Sequence, residues 1–492
     1  MEPRLRCTNQ LVEVCTALHN ADLHEKPSEL EAAVTIGSKP IPRSNAAFLK
    51  FLPLFLRDKL TDRHTLQSLL GNSSWLFWDK IIRMGSNLIV VLWIARYLGP
   101  SQFGLLNFAI AFTGLFTAIA SLGMDGIVVR ELVGAPDKRD EILGSAFALR
   151  AFSALLSYAV VLGAIFVLRR GESLVIWVVA ITSGQFIFQS LNVIDLYFQS
   201  KVQSKYTIYA TNSAFLLMAM VKVGLLLAGA SLISFAWAGL GEFALAGGFL
   251  LISYRTRGLR SSRWKPEMAI IRSLLKDSWP LILSGISIMI SVRIDQVLIG
   301  EILNDKQVGL YSAAVRISEV WYFIPFAISA SVLPLLVESK KKSDAIYYAR
   351  LQSYSNILAL VGIGFSLFIT VTAGPLIRVL YGPTYAGSAE VLRILIWSGV
   401  PMSIGGVWSN WMLLENRTKM MFYFQLFGAA LNLALNLVLI PRLGIVGSAY
   451  ATLVSYGAWI VVLCPLMKSQ RRILMMMLKS LSLIWLFNKQ KD

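Results

Sequence analysis

IARYLGPSQFGL, residues 94–105, returns 205 positions later as IGEILNDKQVGL, residues 299–310. Ile94 and Ile299, Leu98 and Leu303, Gln102 and Gln307, Gly104 and Gly309, and Leu105 and Leu310 coincide. Each copy closes one long apolar run, turns, and opens another. Apolar runs of ~20 residues cross ~30 Å of hydrocarbon as helices. Each copy therefore reads as the turn between two spans, with the same orientation in both halves. Two halves in one orientation imply a pseudo-twofold axis along the membrane normal, an arrangement found in rocker-type transporters.

Composition supports this. Of 492 residues, 56% are hydrophobic and 15% charged, with a mean hydropathy of +0.62. A soluble domain so apolar would expose large sticky patches. The fold class is an all-α polytopic membrane protein of about 12 transmembrane helices in two pseudo-symmetric six-helix lobes. The spans read as 74–98, 102–124, 142–168, 173–197, 206–229, 231–253, 278–301, 307–336, 351–373, 389–413, 419–440 and 445–467. The chain then divides into a polar N-terminal extension (1–73), an N-terminal lobe (74–253), a basic inter-lobe linker (254–277), a C-terminal lobe (278–467) and a basic amphipathic tail (468–492). The linker reads either as a plain loop or as a hinge. The tail, interrupted by Lys479, reads as an interfacial helix rather than a further span.

The net charge of +18 invites a nucleic-acid reading, but its placement excludes one. Residues 1–72 hold nine Lys/Arg and eight Asp/Glu, so the excess lies in the apolar portion. With the N-terminus in the cytoplasm, the five cytoplasmic connections hold seventeen Lys/Arg and the outer ones five. Basic loops resist translocation, so both termini are expected on the cytoplasmic side of a multi-pass cell membrane protein. Enzymatic readings find little support. All three histidines (His19, His24, His64) lie in the extension, no GxxxxGK[ST] loop is present, and no loop is large enough for a catalytic domain. Cys7, Cys15 and Cys464 give no disulfide framework, and Cys7/Cys15/His19/His24 fits no standard zinc spacing, so no metal is expected.

Ionisable groups at membrane depth are costly and mark a cavity, a partner or water. The cations there are Lys80, Arg83, Arg150, Lys222, Arg293 and Arg316, and the anions Asp79, Glu242, Asp295 and Glu319. Asp79 and Arg83, four apart, read either as an internal ion pair or as interfacial anchors. Arg293, Asp295, Arg316 and Glu319 fall within one depth layer on two neighbouring helices. They read as one charged network, serving cargo and ions or merely fixing helix register. Six cations against four anions leave a positive interior, which suits phosphate because Arg stays charged and binds bidentately. Arg83, Arg150, Lys222, Arg293 and Arg316 are candidate contacts for an anionic head group. Asp295, Glu319 and Glu242 are candidates for coupling a proton or sodium ion.

The stretches ARYLGPSQFGLLNFAIAF (95–112), ASLGMDGIVVREL (120–132), RIDQVLIGEILNDKQVGLYSAAVRISEVWYFIPFAISASVLPLL (293–336), LIRVLYGPTYAGSAEVLRIL (376–395) and LNLVLIPRLGIVGSAYATLVSYG (435–457) resemble polysaccharide-type flippases. Those belong to the superfamily that also holds O-antigen flippases, lipid II flippases and multidrug/toxin extruders. The resemblance covers residues 74 to about 467. It implies two six-helix lobes around a central cavity, and a flippase for a polyprenyl-pyrophosphate-linked oligosaccharide at the bacterial inner membrane. It also implies membrane lipids as surroundings and polysaccharide polymerase or export machinery as partners. The same-fold alternative, a multidrug exporter, predicts an acidic cavity. An alternative of another class, a membrane-embedded polymerase or ligase, needs a larger outer loop than 374–388.

Overall fold

A computed structural model of the protein describes residues 64–458, 460, 470–483 and 485. Residues 1–63, the proposed Cys/His spacing, Cys464, and the side chains of Asp79 and Lys80 lie outside the described residues. Of the unit Met1–Trp78, only residues from His64 onward are described; the packed helices form the unit Asp79–Asp492.

Among the described residues the chain is helical, without a strand. The principal helices are α1 (His64–Leu115), α2 (Arg139–Leu168), α3 (Lys205–Leu227), α4 (Leu232–Arg255), α5 (Met268–Ile302), α6 (Asp305–Trp321), α7 (Phe323–Lys342), α8 (Asp344–Tyr381), α9 (Gly399–Leu414), α10 (Thr418–Ala458) and α11 (Arg471–Leu481). Short helical segments between 117 and 134, between 173 and 200 and between 383 and 398 lie between them. Large apolar side chains such as Phe152, Phe368 and Val371 are exposed, as lipid-facing positions require.

Ten stretches are long and apolar enough to cross a membrane among the described residues, against the expected twelve. Two of the ten, Gly85–Leu115 and Met420–Ala458, contain left-handed glycines, Gly99 (φ 69°) and Gly444 (φ 61°). Those are the positions where the sequence places turns between spans. At Gly444 the reversal is explicit. A Cβ on Gly447 would collide with the carbonyl of Leu439, eight residues back, whereas a straight helix would separate them by ~12 Å. Only glycine takes such a φ without strain, and Pro100 and Pro441 beside the two turns withhold the N–H groups that would continue the helix.

The repeated turns pack against each other. A Cβ on Gly104 would strike the carbonyl of Asp305, and one on Gly309 would strike the carbonyl of Pro100. The repeat carries Pro100 onto Asp305 and Gly104 onto Gly309, so the two contacts are each other's image. The pseudo-twofold axis passes between them. At this face, here called the turn face, both halves contribute to one apolar core that includes Ala95, Phe103, Phe108, Val308, Ile369 and Ile440. Towards the opposite face the core divides. One cluster gathers Met124, Leu143, Phe198, Tyr254 and Leu274; another gathers Leu336, Tyr347, Leu351, Trp411 and Met477. The halves share a core at one end and keep separate cores at the other.

Two expectations are modified. The basic linker is not a free hinge: Trp264 wedges against Phe147 and Tyr254 at ring distances of 5.4 and 5.8 Å. The Lys265–Pro266 backbone lies on Gly144, where a Cβ would come within 2.6 Å of it. The Glu267 N–H donates to Ser145 Oγ at 2.9 Å. Also, α5 begins ten residues before the expected span at 278. Its first turns pack with the N-terminal half (Leu274 sits in that half's cluster) and its last turns with the shared core. Beyond the membrane portion, α11 is too short to span and buries Ile473 and Met477 against the C-terminal half.

Candidate functional site

α5 carries two kinds of polar side chain on two faces. Ser287, Ser291 and Asp295, spaced by four, form one buried stripe. The stripe meets α10, whose Asn432 and Asn436, again four apart, are wholly buried, as is Ser448. Asp295 accepts three hydrogen bonds, from Tyr311 Oη at 2.7 Å, Thr452 Oγ1 at 2.6 Å and Asn436 Nδ2 at 2.8 Å. Asn436 Nδ2 also reaches the Asn432 carbonyl at 2.9 Å, and Asn432 Nδ2 donates to Ser455 Oγ at 3.3 Å. Asp295 is 4% exposed, and no cation pairs with it among the described residues. Asn436 Oδ1 is buried with no donor among them. Neutral donors hold the carboxylate, and an oxygen beside it has spare capacity.

Arg293, two residues earlier, points elsewhere. Its Nη1 lies 3.6 Å from Glu319 Oε1, and Arg316 Nη1 lies 3.7 Å from Glu319 Oε2. All three side chains are between 25% and 30% exposed. These contacts are long for charge-assisted hydrogen bonds, which run ~2.7–2.9 Å. One carboxylate shared by two guanidinium groups leaves a charge of +1 with open donors. The Arg293 stem passes 3.4 Å from where a Cβ on Gly114 would stand, so the triad lies against the N-terminal half. Tyr381 lies within electrostatic range of Arg316 and Glu319.

The expected single layer is therefore two sites. Successive residues in a helix turn by ~100°, so positions two apart face ~200° from each other. Arg293 and Asp295 cannot serve one cluster. The neutral partners Tyr311, on α6, and Asn432, Asn436, Ser448 and Thr452, on α10, escaped a search for charged groups, and nothing in their sequence positions tied them to Asp295.

The remaining candidates sit in the N-terminal half. Lys222 Nζ on α3 bonds Glu242 Oε2 on α4 at 2.7 Å. Arg150 is 4% exposed and pairs with Asp125. Arg83 donates to Asn212 Oδ1 at 3.3 Å and stands 5.4 Å over the Phe215 ring. Lys222 and Arg150 thus carry compensated charge, whereas Arg83 meets a neutral amide and a ring.

The turn face carries a further set of polar contacts. Arg169, at the end of α2, donates to Glu301 Oε1 at 2.9 Å, to the Gly300 carbonyl at 2.7 Å and to Asp305 Oδ1 at 3.3 Å. It also reaches Glu172 at 3.1 Å, on its own half. Arg96 donates to the carbonyls of Leu380 (2.8 Å) and Val379, and Tyr385 Oη donates to the Ala95 carbonyl at 2.7 Å. These bonds tie the first half to the second at that face.

The family model described as polysaccharide biosynthesis protein matches residues 69–340, and that described as MatE matches 280–438. A probable low-salt glycan biosynthesis flippase of Haloferax volcanii is 23% identical over 397 residues, covering 79% of this chain and 81% of that protein. Among solved structures, an inward-facing multidrug resistance MATE family transporter has a TM-score of 0.66 at 16% identity, with 83% of this chain and 96% of that one aligned. The lipid II flippase MurJ, in an inward closed conformation, has a TM-score of 0.64 at 16% identity, with 84% and 92% aligned.

Proposed function

We propose, from the premise that this chain belongs to the polysaccharide biosynthesis protein family and is a multi-pass flippase of the multidrug/oligosaccharidyl-lipid/polysaccharide exporter superfamily, that its cargo is a polyprenyl-pyrophosphate-linked oligosaccharide. The linker face is then cytoplasmic, with both termini, and the turn face is outside, in a cytoplasmic membrane. The observation that carries the reading is the partly exposed Arg293–Glu319–Arg316 triad, with its charge of +1, on the boundary between the halves. A pyrophosphate offers oxygens to the unused donors, and Arg binds them in a fork. Arg83, which meets a neutral amide and a ring, is a further candidate contact for the head group. A cationic drug would meet repulsion there.

Asp295 supplies the complementary part. Its carboxylate, the bare Asn436 Oδ1 and the hydroxyls of Ser448 and Thr452 gather oxygens, the ligands a hard cation takes. A sodium ion would be held by those oxygens; a proton would sit on the carboxylate. Either would change the bonds that tie α5 to α10 and bias the opening of the C-terminal half. Glu319 and Glu242, each already opposite a cation, serve such a role less readily. The divided core supports alternating access: the shared turn-face core would close the outside, and the two separate clusters would let the halves part at the inside.

The test is reconstitution. Proteoliposomes loaded with a fluorescent polyprenyl-pyrophosphate glycan are expected to lose inner-leaflet label faster under a sodium or proton gradient. Label that does not move under either gradient overturns the proposal.

A further inference from the structure

The basic segment between α4 and α5 forms a pocket of its own. Arg255, Gly258, Leu259, Arg260, Ser261 and Ser262 line an open-sided pocket of about 440 Å³. Gly258 (φ 74°) turns the chain back over the end of α4, and its N–H donates to the Arg255 carbonyl at 2.9 Å. The turn 261–263 is closed by the Trp264 N–H donating to the Ser261 carbonyl at 3.1 Å. Trp264 and the Lys265–Glu267 backbone fasten this loop to α2, and the Lys265 N–H adds a bond to the Asp140 carbonyl at 3.2 Å. Arg257 is held away from the cavity's charge by stacking 3.8 Å over the Tyr206 ring.

Arg255 and Arg260 have no carboxylate partner among the described residues, whereas Arg130 and Arg139, on the same half, each have one. Two uncompensated guanidinium groups lining one pocket on a fixed loop favour an anion between them. Ser261 and Ser262 add hydroxyl donors, so the donor set is that of a phosphate site. Ile252, one turn before Arg255, is 56% exposed, so an apolar surface adjoins the pocket, as a lipid head-group site would have.

We infer that this pocket binds a phosphate group, carried by an anionic lipid head group or free in solution, independently of the cargo layer. The full chain in nanodiscs is compared by native mass spectrometry for retention of phosphatidylglycerol against phosphatidylcholine. In neutral nanodiscs its melting temperature is followed with inorganic pyrophosphate. Preferential retention of phosphatidylglycerol by the wild type assigns the lipid source; stabilisation by pyrophosphate alone assigns the free one. In either case Arg255→Gln with Arg260→Gln weakens binding by about tenfold or more, while Arg272→Gln, exposed on the neighbouring helix, leaves it unchanged. A wild type that prefers neither ligand, or a double variant that binds like Arg272→Gln, overturns the inference. Where the double variant fails to fold, Arg255→Gln and Arg260→Gln are measured singly; each is expected to bind more weakly than Arg272→Gln, and binding equal to it overturns the inference.

Discussion

Arg293 and Asp295 are neighbours on one helix, yet the protein treats them oppositely. Arg293 stands a quarter exposed, shares one carboxylate with Arg316, and makes only long ionic contacts. Asp295 is sealed, and three neutral donors satisfy it within 2.6–2.8 Å. The first arrangement leaves donors open for something to arrive. In the second, water has been replaced by fixed dipoles, which holds a charge but lets a small cation or a proton change its state. Under the proposed function, the cargo contact and the ion contact take separate faces of the helix that joins the halves.

The largest effect is expected from removing the sealed charge. Asp295→Asn keeps an oxygen for Tyr311 and Thr452 but loses the charge, so ion stimulation of flipping should disappear. Coupling free energies of ~1–3 kcal/mol correspond to roughly 5–150-fold in rate or affinity. Asp295→Ala instead strands the donors of Tyr311, Thr452 and Asn436, at ~1–3 kcal/mol for each unsatisfied group, and should lower the melting temperature as well. Unchanged sodium and proton dependence in Asp295→Asn would remove Asp295 from coupling.

Next come the open donors. Arg293→Gln and Arg316→Gln should each raise the KM for lipid-linked glycan, since a charge-assisted hydrogen bond contributes ~1.5–3 kcal/mol, roughly tenfold or more. Ion stimulation should persist in both. The two changes should not add, because both residues act on Glu319. Equal KM in wild type and variants, with lower melting temperatures, would make the triad a fastening between helices.

This contrast was only half legible in the sequence. The repeat at 94–105 and 299–310 and the long apolar runs pointed to an all-helical membrane fold, because burial in lipid imposes a pattern that composition cannot hide. The docking of Gly104 and Gly309 was marked by glycine at equivalent places. The partners of Asp295 were not marked. Asn432, Asn436 and Thr452 lie more than 130 residues away and carry no formal charge, so neither proximity nor electrostatics pointed to them. The linker's attachment depends on Gly144 leaving room for a backbone 121 residues on, which no local pattern announces.

A subtler effect is expected at the turn face, where the comparison concerns what must open rather than what must bind. Gly104→Ala pushes a methyl group into the Asp305 carbonyl, and overpacking of this kind costs ~1–3 kcal/mol. The penalty falls on the closed turn face and should vanish once that face parts. Spin labels on exposed Arg170 and Lys306 should therefore report a larger share of the long distance, and Arg169→Gln, which removes the bonds to Glu301, Gly300 and Asp305, should shift it the same way. Unshifted distances in both variants would show that the closure rests on the apolar core alone.

The smallest effect separates paired from open cations within the N-terminal half. Lys222→Met leaves the partly buried Glu242 without its cation, so the single variant should melt lower. Adding Glu242→Leu removes the stranded charge, and replacing a buried pair by apolar groups is often neutral or stabilising. The double variant should recover its melting temperature and flip glycan within about twofold of wild type, in keeping with a pair whose effects couple only to each other. Recovery of stability without recovery of flipping would give Lys222 a part in cargo handling despite its partner.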